Sequence, residues 1–289
     1  MKLHLVFWAF FLPILFTNCK TAKFTANNGL NSCGKADKVT GANFIFLIDN
    51  SGSMAETDCS NPNANGICSE ATEREKAILA SFDRLVEIAE QSGKPEETKS
   101  VFTIAKFSPD VRLGKITDIS QPVYAKFETI ASERARLAET LKFTREPKGD
   151  TPFEIAVQYT KRFLDEQQNQ KRNVAVLLTD GEPTDTNPDA TLKNAGQLPL
   201  DRFTIRINTK GESINERYTS HKSRIERYYT NDQNSWTSNY EDIESYMNDL
   251  MSLATNFSQS MPIDIQSAKG LETAIFDEVI KTTINPCDD

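Results

Sequence analysis

Two apolar runs that each close on an aspartate, Asn43–Asp49 (NFIFLID) and Asn173–Asp180 (NVAVLLTD), limit what this 289-residue chain can fold into. A run without polar alternation is a strand covered on both faces, as in the centre of a parallel sheet. Parallel strands need crossover connections, and helical spacing appears around both runs. Residues 72–90 place Ile78, Phe82, Leu85 and Ile88 or Ala89 on one face, with Thr72 and Glu75 spaced as a capping box. Ser100–Phe107 and Arg202–Ile207 read as further strands, and 129–142 and Pro152–Glu166 as helices. Val111–Ile119 follows a Ser108-Pro109-Asp110 turn and is expected to return as an edge strand. Ile243, Met247, Leu250, Ala254 and Phe257 form a helical stripe, followed by a short strand at Met261–Ile265 and a helix over 269–283. The expected architecture is α/β: a doubly wound, mostly parallel six-stranded sheet flanked by helices, with one antiparallel edge strand.

The N-terminus reads differently. Lys2 precedes an uncharged apolar run from Leu5 to Phe16. A helix of that length rises about 18 Å, short of a hydrocarbon core of roughly 30 Å, so residues 1–18 are expected to be a signal peptide. The run ends at Phe16-Thr17-Asn18-Cys19, which resembles the lipobox of bacterial lipoproteins, with departures at Phe16 and Asn18. That resemblance implies lipidation of Cys19, an exported lipoprotein of the outer membrane or cell surface (or facing the periplasm), and residues 19–41 as a polar tether. Of five cysteines, Cys33, Cys59, Cys68 and Cys287 then remain. An exported chain with four cysteines is a candidate for two disulfides, with three pairings open. Cys59 and Cys68 are neighbours in a polar loop, while Cys33 and Cys287 flank the domain at 42–289; the expected bonds are Cys59–Cys68 and Cys33–Cys287.

Three segments fall at or beside the carboxyl ends of expected strands: Asp49-Asn50-Ser51-Gly52-Ser53, Gly149-Asp150-Thr151-Pro152 and Thr179-Asp180-Gly181-Glu182-Pro183. Open α/β sheets bind ligands there, at the point where strand order reverses. Two carboxylates and three hydroxyls make an all-oxygen donor set, suited to a hard divalent ion that keeps some water. These segments, in this order, resemble the metal-ion-dependent adhesion site of the von Willebrand factor type A (VWA) domain. Asp49, Ser51 and Ser53 match its D-x-S-x-S, Thr151 its separate threonine and Asp180 its separate aspartate. The resemblance runs from about Asn43 to Ile284 and includes the closing LMSLATNF, MPIDI and LETAIFDEVI segments.

The resemblance implies Mg²⁺ as cofactor, with Mn²⁺ or Ca²⁺ as substitutes. Ser51, Ser53 and Thr151 would reach the ion directly or through water, and Asp49 and Asp180 would act largely through water or as hydrogen-bond orienters. Few direct carboxylates leave the ion electrophilic, so a protein ligand could complete its shell with an acidic side chain. The competing structural reading makes Thr151 a helix cap, with Pro152 at the first position and Glu154 three residues on. For Asp49 and Asp180 it is loop hydrogen bonding alone.

The chain departs from the simple VWA pattern at insertions near 54–70 (AETDCSNPNANGICSEA) and 208–240. A separate calcium site through Asp58, Asn61 and Asn63 is a minor alternative for the first, at a spacing that matches no recognised loop. In the second, Tyr218 and Tyr228 share a helical stripe with Ile214 and Ile225, the pattern of core packing.

A net charge of −8 argues against nucleic acid as partner. After signal removal His221 would be the one histidine, and no G-x-S-x-G, P-loop or dinucleotide glycine pattern appears, so no enzyme is expected. The expectation is a membrane-anchored, adhesion-like binding protein; the alternative is a cell-envelope scaffold or assembly factor.

Overall fold

The computed structural model describes residues 40–91, 99–107, 110–112, 115–118, 126–128, 133–167, 169–180, 183–185, 187–207 and 243–284, all within the unit Cys33–Asp289. The expected signal peptide, Cys19, the tether, the Cys33–Cys287 bond and the 208–240 extension lie outside the described residues. Among the described residues no helix is long and apolar enough to cross a membrane.

The two diagnostic runs are the paired central strands. β1 (Ala42–Asp49) and β6 (Arg172–Thr179) run parallel, with Ile48 opposite Leu178. β2 (Val101–Phe107) lies parallel on the other side of β1, while β7 (Asp201–Ile207) and then β8 (Ile263–Ile265) continue beyond β6. β5 (Lys126–Glu128) closes the far edge antiparallel to β2. The order β5-β2-β1-β6-β7-β8 therefore has five parallel strands and one antiparallel edge, as expected. Because β2 is added to one side of β1 and β6 to the other, strand order reverses at β1. This places the switch point at the carboxyl ends of β1 and β6.

The identity of the edge strand corrects the sequence reading. The 111–119 run contributes β3 (Asp110–Arg112) and β4 (Lys115–Asp118), which pair with each other in a separate two-stranded ladder. In the sequence a glycine, a residue type that breaks strand patterns, stands at 114 within the run that reads as one strand.

Strand alternation divides the apolar residues between two cores. Phe44, Phe46 and Ile48 of β1 and Val174, Val176 and Leu178 of β6 face one side, under α2 (Glu73–Gln91), α3 (Arg134–Leu141) and the last helix. That last helix, α7, is α over Leu271–Thr273, π over Ala274–Lys281 and α again over Thr282–Ile284. Ile45, Leu47, Ala175 and Leu177 face the other side, under α4 (Phe153–Glu166), α5 (Pro188–Gly196) and α6 (Ile243–Asn256). Burial on both faces is why the central strands show no polar alternation. The short helix α5, which carries no strong stripe, went unread; Asn187 caps it by accepting from the Ala190 N–H at 3.1 Å, with Pro188 at its start. At α2 the capping box is half made: Thr72 Oγ1 accepts from the Glu75 N–H, while the Glu75 carboxylate pairs with Arg145.

Candidate metal centre

The β1 and β6 carboxyl ends bring Asp49 and Asp180 to one place. Asp49 is fully buried; its Oδ1 accepts the Ser51 N–H at 2.8 Å and its Oδ2 accepts the Thr179 hydroxyl at 2.5 Å. The chain then turns into α1 (Met54–Thr57), with Ser53 at its N-cap. The Ser51 and Ser53 hydroxyl oxygens are 3.0 Å apart, and Ser53 Oγ donates to Asp180 Oδ1 at 2.8 Å. Ser51 is buried, whereas Ser53 is exposed and opens the cluster to solvent.

Hydrogen bonds to backbone carbonyls bring the Thr151 loop to this cluster. Asn50 Nδ2 donates to the Glu146 carbonyl, the Lys148 N–H to the Asn50 carbonyl, and the Gly52 N–H to the Gly149 carbonyl, at 2.8–3.1 Å. Gly149 holds φ 85°, a conformation glycine adopts without steric cost, as the loop passes Gly52. Behind it, the Thr151 N–H donates to Thr184 Oγ1 and the Thr184 N–H returns to the Thr151 carbonyl.

Thr151 is not the helix cap. α4 starts after Pro152 without a side-chain cap of its own. The cap comes from another loop, where Asp185 accepts the Phe153 and Glu154 N–H groups at 2.7 and 2.5 Å. The Thr191 hydroxyl also donates to Asp185, and Tyr246 Oη holds the Asp185 carbonyl at 2.7 Å. Burial, with the Glu154 charge adding to it, pushes the Asp185 carboxyl up to about 7 against these hydrogen bonds. Asp185 thus leaves the Thr151 side chain free of capping duty, and the sequence reading missed it because a cap supplied from a distant loop has no local spacing.

The part of the insertion that follows α1 is tied to the same loops. Cys59 and Cys68 are disulfide-bonded, as expected, and the Cys68 N–H donates to the Arg145 carbonyl at 2.8 Å. Asp58 is buried against Arg74: the Arg74 Nε and N–H both bind its carboxylate, while Arg74 Nη1 binds the Asp49 carbonyl and Nη2 the Thr144 carbonyl. A carboxylate engaged in this way cannot serve a loop calcium ion, so the Asp58, Asn61 and Asn63 alternative is discarded.

Electrostatics fit a cation. Burial first, and then the charge of Asp180, raise the Asp49 carboxyl from 3.8 to about 6, against the hydrogen bonds from Thr179 and Ser51. A carboxylate whose proton affinity is raised by a neighbouring charge of the same sign would be stabilised by a divalent ion in the same way. Among the described residues no three His, Cys, Asp or Glu side chains gather to cage an ion. The donor set is instead two carboxylates with hydroxyls, the hard-oxygen chemistry of Mg²⁺ with retained water.

The raised Asp49 carboxyl predicts a pH dependence. In EDTA, the folded state binds a proton that the unfolded chain releases between pH 3.8 and about 6. The Asp49 contribution to stability is therefore fully present below that window and is lost as pH rises through it. Urea denaturation at several pH values should show this contribution in the wild type and not in Asp49→Asn. A divalent ion binding here would have to displace the same proton, so its affinity should climb up to about pH 6 and level off above.

A family model of the von Willebrand factor type A domain matches residues 43–245. The chain belongs to the VWA family. β8 and α7 complete the VWA sheet and its core beyond the matched span. No curated protein sequence matches the chain. A pilus adhesin, SpaC from Lactobacillus rhamnosus GG, has a similar fold, with a TM-score of 0.51 at 15% identity over 86% of this chain. The match spans 31% of the adhesin's length. A von Willebrand factor type A structure from Catenulispora acidiphila gives a TM-score of 0.48 at 14% identity, covering 84% of this chain and 43% of that one. BatB from Bacteroides thetaiotaomicron gives 0.43 at 13% identity, covering 83% of this chain and 98% of that one. At these identities the likeness is one of fold.

Proposed function

We propose that this VWA protein is exported, anchored to a membrane through a lipid on Cys19, and binds a protein ligand through one divalent ion, Mg²⁺ or in its place Mn²⁺ or Ca²⁺. The observation that carries this reading is the contact of exposed Ser53 with Asp180 beside buried Asp49, at the sheet's switch point. Ser51, Ser53 and Thr151 would hold the ion, and Asp49 and Asp180 would orient hydroxyls and water around it. When bound, the ion supplies an electrophilic centre that an acidic side chain of the ligand can approach from the open side. The Asp49 carboxylate keeps the Ser51 backbone and the Thr179 hydroxyl in place, and Asp180 keeps the Ser53 lone pairs directed away from its own oxygens.

Capture of cell-surface proteins by the purified chain, with Mg²⁺ or with EDTA, tests the reading. Partners retained in Mg²⁺ should be lost in EDTA and with Asp49→Ala; retention under either condition contradicts it. Protease added to intact cells separates surface display from the envelope-scaffold alternative. Cleavage of this chain is the outcome expected here.

A further inference from the structure

We propose that Thr57, contributed by the insertion, is a positioning residue of this centre that fixes the rotation of the Asp180 carboxylate; the assignment rests on the metal-site reading above. Thr57 Oγ1 donates to Asp180 Oδ2 at 2.6 Å while Ser53 Oγ donates to Oδ1 at 2.8 Å, so one short helix holds both oxygens of a carboxylate from another loop.

Among the helical threonines Thr191 also reaches a carboxylate outside its helix, that of Asp185. Thr140, Thr160, Thr282 and Thr283 each return their hydroxyl to the carbonyl four residues earlier in their own helix. That is the ordinary local bond for a threonine in a helix. Thr57 instead reaches a residue 123 positions away in sequence.

What surrounds Thr57 is built to keep it there. Met54 at the start of α1 is fully buried, and Gly66 of the disulfide loop, at φ 74°, backs onto Ala55. The next residue, Asp58, donates its N–H to the Met54 carbonyl and is held through its carboxylate by buried Arg74. Cys59 follows, closed by its bond to Cys68. The insertion thus fixes α1 from both ends, and the hydroxyl loses little freedom on meeting Asp180.

The chemical consequence lies at Ser53. A hydroxyl that gives its proton to a carboxylate keeps its lone pairs for a cation and becomes a better donor to it. If Asp180 rotated, Ser53 would lose its acceptor. By taking Oδ2, Thr57 holds Oδ1 on Ser53.

The test compares the full chain with Thr57→Val, which keeps the shape and removes the hydroxyl, and Thr57→Ser, which keeps the hydroxyl. Mn²⁺ titration by calorimetry and thermal unfolding in EDTA are read for all three. Thr57→Val should weaken Mn²⁺ binding about 10-fold or more, the scale of losing an outer-shell partner. Thr57→Ser should bind like the wild type, and all three should unfold at similar temperatures in EDTA. Wild-type affinity in Thr57→Val, equal loss in Thr57→Ser, or a valine variant unfolded without metal would each overturn the assignment. Absence of Mn²⁺ binding by the wild type would overturn the metal-site reading, and this assignment with it.

Discussion

Arg74→Met should cost the fold about 3–5 kcal/mol, the range for removing one partner of a fully buried ion pair. Neither the Arg74 nor the Asp58 side chain is exposed to solvent. The substitution leaves the Asp58 carboxylate in the interior with the Arg74 backbone N–H at 3.0 Å, and takes the guanidinium donors from the carbonyls of Asp49 and Thr144. Desolvation of an uncompensated charge dominates this loss, since methionine restores most of the packed volume. Adding Asp58→Asn to Arg74→Met should therefore recover part of the stability. Urea denaturation of the single and double variants measures both effects. A single-variant loss below about 1 kcal/mol, the scale of an exposed pair, would show that the pair does not carry this loop.

The largest effect on binding is expected from Asp180→Ala, which should weaken divalent-ion affinity about 100-fold, the upper end for loss of a group that orients ligands. Asp180 takes the protons of both Ser53 and Thr57, so its removal releases two hydroxyls at once. It also removes the charge that helps raise the Asp49 carboxyl, so that carboxyl should fall from about 6 toward its ordinary value. Metal-free stability should hold or rise, because the two carboxylates repel without the ion. Weak ion binding with intact folding in EDTA separates a lost binding group from a broken fold.

Much of this architecture is legible in the chain itself. Burial on both faces leaves no polar residue between Phe44 and Ile48 or between Val174 and Leu178, so β1 and β6 announce themselves and their terminal aspartates follow. Asp49, Ser51 and Ser53 are local in sequence, and Asp180 directly follows a second strand paired with the first. The loop of Thr151 is brought in by hydrogen bonds to Asn50 and Gly52 that no periodicity encodes. The same holds for what the sequence reading missed. Asp185 caps a helix that begins 32 residues earlier, Thr57 holds a residue 123 positions on, and Arg74 binds the carbonyl of Asp49 from α2. These partners are chosen by the packed fold, and the residue types involved are equally at home on a solvated surface. The edge strand was misread for a different reason, since β3, β4 and β5 are three or four residues long and short segments give periodicity little to act on.

Calorimetric titration of Mn²⁺ into the EDTA-stripped, dialysed full chain near neutral pH tests the central claim most directly. One saturable ion per chain is predicted, with affinity sharply reduced in both Ser53→Ala and Asp180→Ala. No binding by the wild type, or binding unchanged in both variants, would contradict a metal centre at the ends of β1 and β6.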